Sequence, residues 1–361
     1  MKVIVYRSLP GALIAFVALW IVGGFFLCSP TNKAYDSQLQ RTVPNGRTYW
    51  RTEGWATTDY GALGLPGLPS LRQLAGRTIM LWGDSHVEAL QVDDAMKMAA
   101  QVTSIWKQRA GGLATPLTAL SWGKSNATFA DHCFDIPRYE RLIPSMRRHY
   151  LIVSFTRRLY PNDTRFTAAR FLDKDGTFTM REPPDARESP SSHWVMRILS
   201  LTHANAVFKT MRDISKIATG KDLRISLGPA PAPRATDHLP PFSEPYSYRA
   251  FTWLLTQIKG RAAKPVTIVY TPLTPFIDQG KIQYCEADPD ETLRVQVLAR
   301  VCRDLDIGWI NLDQSFREAY ARTGQFPRGF PNSRPSLGHF NAFGHRLIAE
   351  AIVRDLEIDP P

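Results

Sequence analysis

The strongest constraint on the fold is a rhythm in which short apolar runs alternate with longer segments whose apolar residues recur every three or four positions. The runs are RTIMLWG, TSIWKQ, HYLIVSF, PVTIVYTPL and IGWINLD, and the helical patterns are VEALQVDDAMKMAAQ, YRAFTWLLTQIKG, ETLRVQVLARVCRDL and AFGHRLIAEAIVRDL. Short runs this apolar fit strands buried on both faces, and alternation with amphipathic helices delivers them to a mostly parallel sheet. Right-handed crossovers then bring the loops that follow the strands to one sheet edge, where open α/β folds bind ligands. The expected fold class is therefore α/β. With 361 residues, 44% of them hydrophobic, a large core is affordable either in one domain with insertions or in two.

Two stretches break the rhythm. Lys2 and Arg7 precede an uncharged run from Ser8 to Asn32 with the centre ALIAFVALWIVGGFFLC. About 20 apolar residues suffice to cross a bilayer, and the basic side is expected to stay in the cytoplasm. Residues 1–32 are accordingly expected to form a cytoplasmic tip and a transmembrane signal anchor, uncleaved because no A-x-A-like site precedes Ser29-Pro30. The rest of the chain is then expected outside the cytoplasm, which is the periplasm if the cell is Gram-negative. FFLC places bulky residues where a lipid-attachment cysteine wants small ones. Residues 33–70 end in GALGLPGLPS and read as a linker, with the domain proper over 71–361. The second break is an insertion at about 160–245, containing REPPDARESPSS and GPAPAPRATDHLPPF, and the second of these stretches is expected to form a long loop near the site, either a lid or substrate wall or a surface loop with no role.

Lys plus Arg number 44 against 33 Asp plus Glu. That excess favours contact with anionic surfaces such as phospholipid headgroups or acidic glycans. The charges are scattered, however, and pairs such as Arg147-Arg148 and Arg157-Arg158 come without any nucleic-acid motif, so no nucleic-acid partner is expected. Of the four cysteines, Cys133, Cys285 and Cys302 could supply one disulfide and a free thiol in an exported domain, or stay buried and unpaired. No C-x-x-C is present, and the spacing of six between His339 and His345 does not stack two ligands on a helix face. Neither a metal nor a cofactor is expected.

The sharpest local signal is Leu81-Trp82-Gly83-Asp84-Ser85-His86, after the run RTIML and before a helical pattern. Gly83 permits a tight turn at the strand end, and Ser85 falls where the helix begins. Asp84 or Ser85 could simply cap that helix. As a nucleophile, Ser85 would need a base to take its proton. The loop before the last amphipathic helix offers His339, which can reach over the sheet edge, whereas His345 sits inside that helix among Leu347, Ile348 and Ile352 and reads as structural.

GDSH after the first strand, together with HFNAFGHRLIAEAI after DIGWINLDQSF, resembles the SGNH or GDSL hydrolase superfamily. The GDSH form is most similar to extracytoplasmic domains linked to carbohydrate O-acetylation. The resemblance implies a three-layer, flavodoxin-like α/β sandwich with a mostly parallel sheet, and an ester-handling site. Ser85 would be the nucleophile and His339 its base, with oxyanion donors on Ser85, on Gly112 (from the Gly111-Gly112 pair after the second strand) and on Asn162 after the third strand. An acylated glycan would be the substrate. A lipase or thioesterase working on membrane-derived acyl groups is the enzymatic alternative.

One departure bears on mechanism. The superfamily pattern carries an Asp three residues before the histidine, and here that position is Ser336, which supplies no negative charge. Either a Ser-His dyad suffices, or another acid or a backbone carbonyl orients the ring, or the chain is a silent glycan-binding or assembly protein.

Overall fold

A strand is specified at Arg77–Gly83 (β5) because six consecutive residues from Thr78 to Gly83 are buried, too dense a run for a one-sided helix. In the computed structural model, which describes residues 2–29, 31–39, 41–68, 70–74, 76–109, 115–161, 170–182, 206–207, 210–211, 242–286 and 288–358, β5 lies in a five-stranded parallel sheet. Its partners are Leu117–Gly123 (β6), Met146–Val153 (β7), Val266–Tyr270 (β10) and Gly308–Asn311 (β13), in the order β13-β10-β7-β5-β6. Side chains alternate across the strands, so each strand feeds two cores. Met80, Trp82, Leu151 and Val153 face Phe129–Leu142 (α4), Glu244–Arg261 (α5) and Glu291–Asp304 (α6). Ile79, Leu81, Tyr150 and Ile152 face Met98–Arg109 (α3), Asp313–Thr323 (α7) and Ala342–Ile358 (α8). The three layers expected from the resemblance are in place.

TSIWKQ, expected to be the second strand, belongs to α3. Met98, Ala99, Val102 and Ile105 are its buried residues, a spacing of three and four that only a helix turns to one side. The second parallel strand is β6, further along, and α4 forms in spite of Pro137 within it.

The segment expected to be a linker is structured. It folds into the antiparallel pairs Lys33–Asp36 with Arg41–Pro44 (β1 and β2) and Gly46–Trp50 with Ala56–Tyr60 (β3 and β4). Leu39, Val43, Leu63, Leu65 and Leu68 join the core beside Trp82 and Tyr139. Burying side chains of this size contributes about 1.5–3 kcal/mol each, which an isolated spacer would forgo. Before it, Lys2–Phe26 (α1) is helical and leaves Leu13, Ile14, Trp20 and Phe26 exposed. Among the described residues, no helix is long and apolar enough to cross a membrane. Two further hairpins, Arg170–Lys174 with Thr177–Arg181 (β8 and β9) and Phe276–Asp278 with Lys281–Gln283 (β11 and β12), complete the described strands. Of the insertion at 160–245, the β8–β9 hairpin and the start of α5 are described, and residues 162–169, 183–205, 208–209 and 212–241, with both proline-rich stretches almost entire, lie outside the described residues. The loop GPAPAPRATDHLPPF, expected as a lid or a plain surface loop, lies outside the described residues apart from its last residue. All four cysteines are free, with Cys133 and Cys302 buried and Cys285 exposed.

Candidate active site

Ser85 owes its position to the end of β5. The strand closes at Gly83, where a Cβ would come within 2.3 Å of the Val87 side chain, so only glycine lets the chain turn directly into the short helix Ser85–Glu88 (α2). Asp84 caps that turn, its Oδ1 accepting from the His86 N–H at 2.8 Å. Its other oxygen pairs with Arg158, from the turn that follows β7. Of the two residues weighed as the cap, Asp84 takes the role, which leaves the Ser85 hydroxyl free of it.

His339 sits in the loop before α8, where expected. Its Nε2 lies 3.0 Å from the Ser85 Oγ, across 254 residues of sequence. Its Nδ1 lies 2.7 Å from Oε2 of Glu53, and its backbone N–H donates to Oε1 of the same carboxylate at 2.8 Å. Glu53 therefore stands where the third member of a catalytic triad belongs. It comes from the bend between β3 and β4, in the stretch read as a linker. Gly338 makes room for it: the residue has φ +93°, and a Cβ there would meet the carboxylate at 2.2 Å. Burial alone would raise the pKa of Glu53, but the hydrogen bonds and charge of His339, with Arg334 nearby, hold it below the ordinary 4.5. The group facing the imidazole is thus an anion at neutral pH.

Ser336 is engaged elsewhere. It is buried, with φ +75°, and its Oγ accepts from the Ile277 N–H at 2.8 Å. It tethers the histidine loop to β11 and takes no part in orienting the ring. His345 is buried on the inner face of α8, as expected of a structural histidine, and burial above all pushes its pKa down to about 3. His86, the last residue of GDSH, packs between the rings of His339 and Phe340, with centroids 4.8 and 4.9 Å away. Burial, and after it the charge of Arg328, pushes His86 well below the usual histidine range.

Gly111, Gly112 and Asn162 lie outside the described residues. The glycine that closes the true second strand is Gly123, so close to α2 that a Cβ would stand 1.9 Å from the Glu88 N–H nitrogen. The sequence holds a signal for it in the apolar run LTALSWG, which mirrors RTIMLWG in ending on Trp-Gly. For Glu53 no comparable local signal exists.

No family profile and no curated protein matches the chain. Among solved structures it is similar to an acetyl xylan esterase (11% identity, TM-score 0.38, covering 77% of this chain and 99% of that one). It is also similar to a GDSL-like lipase from Parabacteroides merdae (9%, 0.37, 81% and 100%) and to an aryl esterase of M. smegmatis (9%, 0.38, 78% and 99%). Likenesses this distant carry no weight for the chemistry. The strand order and the meeting of Ser85 with His339 at one sheet edge agree with the three-layer α/β fold that the sequence resemblance implied.

Proposed function

We propose that this chain is a serine esterase or O-acyltransferase, with Ser85 as nucleophile, His339 as general base and Glu53 as the orienting acid. The observation that carries the reading is the continuous relay from the Ser85 Oγ to His339 at 3.0 Å and on to Glu53 at 2.7 Å. Ser85 attacks an ester carbonyl while His339 Nε2 takes its proton, and the carboxylate stabilises the imidazolium so formed. The oxyanion is met by the Ser85 N–H, which at the first residue of a helix has no intrahelical acceptor. Gly112, Asn162 and Gly123 are the further candidates. Collapse returns the proton to the leaving alcohol and leaves an acyl-serine. Water, or a sugar hydroxyl in the transferase variant, then attacks the acyl-serine with His339 again as base.

The favoured substrate is an O-acetylated glycan, on the strength of the GDSH resemblance. We place the site outside the cytoplasm on the strength of the same resemblance, and at a membrane surface through the exposed Leu13, Ile14 and Phe26 of α1. The absent aspartate at Ser336 is the best support for a silent binding protein, and the carboxylate of Glu53 at His339 Nδ1 weighs against that reading. A fluorophosphonate probe should label the wild-type chain at Ser85 and leave Ser85→Ala unlabelled, with turnover of an aryl acetate falling by several orders of magnitude. Equal turnover by the two proteins would end the esterase reading.

A further inference from the structure

Arg328, in the loop between α7 and α8, is buried, with 1% of its surface exposed. A guanidinium taken out of water is costly unless its N–H groups are met. Here they are met without a salt bridge, among the described residues. Nε donates to the Pro272 carbonyl at 3.1 Å, Nη2 to the Thr271 carbonyl at 3.2 Å and Nη1 to the Gly338 carbonyl at 3.2 Å. Nη1 also lies 3.4 Å from Nδ1 of His86, and the guanidinium stands over the Phe340 ring at 4.0 Å. Burial pulls its pKa down to about 10, against the opposing charges of Glu286 and Asp84, so it remains a cation at neutral pH.

These contacts enclose one residue. Gly338 and Phe340 are the chain neighbours of His339, and His86 is the ring packed 4.8 Å from its imidazole. Thr271 and Pro272 follow β10, so the same side chain ties this group to the carboxyl edge of the sheet. A donor facing Nδ1 of His86 also selects the tautomer of that ring with its proton on Nε2. We propose that Arg328 is a positioning residue for His339, fixing the imidazole between Ser85 and Glu53 through Gly338, Phe340 and His86. Displacements of about 1 Å in such a group cost on the order of a hundredfold in rate. A purely structural arginine would lower stability without moving the ring.

This inference rests on the esterase reading for its kinetic arm, and its second arm is independent of turnover. In the full chain labelled with 15N-histidine and carrying Ser85→Ala, the His339 Nδ1 proton shared with Glu53 should give a downfield resonance. Arg328→Lys should broaden or shift that resonance. In the Ser85 background, Arg328→Lys should lower kcat roughly 10- to 100-fold and change KM less than threefold, while Arg328→Met loses more. His86→Ala combined with Arg328→Lys should cost less than the product of the two single losses, because both act on one ring. If Arg328→Met fails to fold, Arg328→Lys and the cycle with His86 still decide. An unchanged resonance, or a folded Arg328→Lys enzyme with kcat within threefold of wild type, would overturn the proposal. Absence of any turnover by the wild type would count against the esterase reading alone, since the resonance still reports on Arg328.

Discussion

Ser336 shows how a single backbone torsion reassigns a role. Its φ of +75° and its bond to the Ile277 N–H turn the side chain away from His339, and the carboxylate arrives instead from Glu53, 286 residues earlier in the chain. Glu53→Gln keeps the shape and removes the charge, and it is expected to lower kcat/KM by roughly 10²- to 10⁴-fold on an aryl ester. Ser336→Ala should lose less than about tenfold, or about 1.4 kcal/mol of transition-state stabilisation. Comparable losses in the two variants would show that Ser336 does more than tether the loop. The depressed pKa of Glu53 carries a pH signature as well. A carboxylate whose folded value lies below its unfolded one stabilises the protein fully above the unfolded value, here about 4.5, and loses that contribution as pH falls through the folded value. The Tm advantage of wild type over Glu53→Gln should therefore hold from pH 5 to 7 and shrink progressively below about 4.5. Ser85 and His339 were legible in the sequence because each is bracketed by strand and helix patterns. Glu53 was not, because RTEGWATTD has no periodicity and the contact that gives it meaning is long-range.

At the scale of elements, the β3–β4 hairpin is the part that must be held. Its bend is clasped by Asn332, whose Oδ1 accepts from the Gly54 N–H at 2.8 Å and whose Nδ2 donates to the carbonyls of Gly54 at 2.9 Å and Arg51 at 3.2 Å. Further along, the Thr57 and Asp59 N–H groups bond to Asp93 and Asp94, Thr58 receives the buried Lys97, and Tyr60 donates to Glu88. Asn332→Ala removes three bonds beside Glu53. It should lower kcat about tenfold with little change in KM, and lower Tm by a few degrees, measurable by steady-state kinetics and calorimetry. A KM effect alone would mean that the clasp serves binding rather than Glu53. Most long elements were legible from periodicity, among them β7, β10, α5, α6 and α8. The failures have a common cause in windows too short to separate a period of two from one of 3.6. TSIWKQ has strand-like composition yet extends the stripe begun by Met98, and the strand β6 follows directly on Pro116.

For the whole molecule, the consequence is that the proposed triad draws on two parts of the chain. The three-layer body supplies Ser85 and His339, and the antiparallel segment before it supplies Glu53 and part of the core. That segment is in turn joined to the end of α1: the Ser29 N–H donates to the Tyr49 carbonyl at 2.9 Å, the Arg51 N–H to Cys28 Sγ at 3.0 Å, and Phe26 meets Trp55 edge-on at 6.4 Å. The Gly- and Pro-rich composition of GALGLPGLPS suggested a spacer, but loops of that composition also run over a core when their leucines are spaced to reach it, and composition cannot tell the two apart. Two shortened forms separate the possibilities. A fragment beginning at Cys28 retains Glu53, the hairpin and its bonds to Cys28 and Ser29, and it should fold and turn over an aryl acetate within a few-fold of the full chain. A fragment beginning at Leu71 loses the acid and uncovers apolar surface around Trp82 and Tyr139, so it should aggregate or, where it folds, fall to the level of Glu53→Gln or below. Adding Glu53→Gln to the longer fragment supplies the matched control for the missing carboxylate. If the shorter fragment were as active as the longer one, the orienting acid would have to come from within residues 71–361, and Glu53 would be only a neighbour of His339.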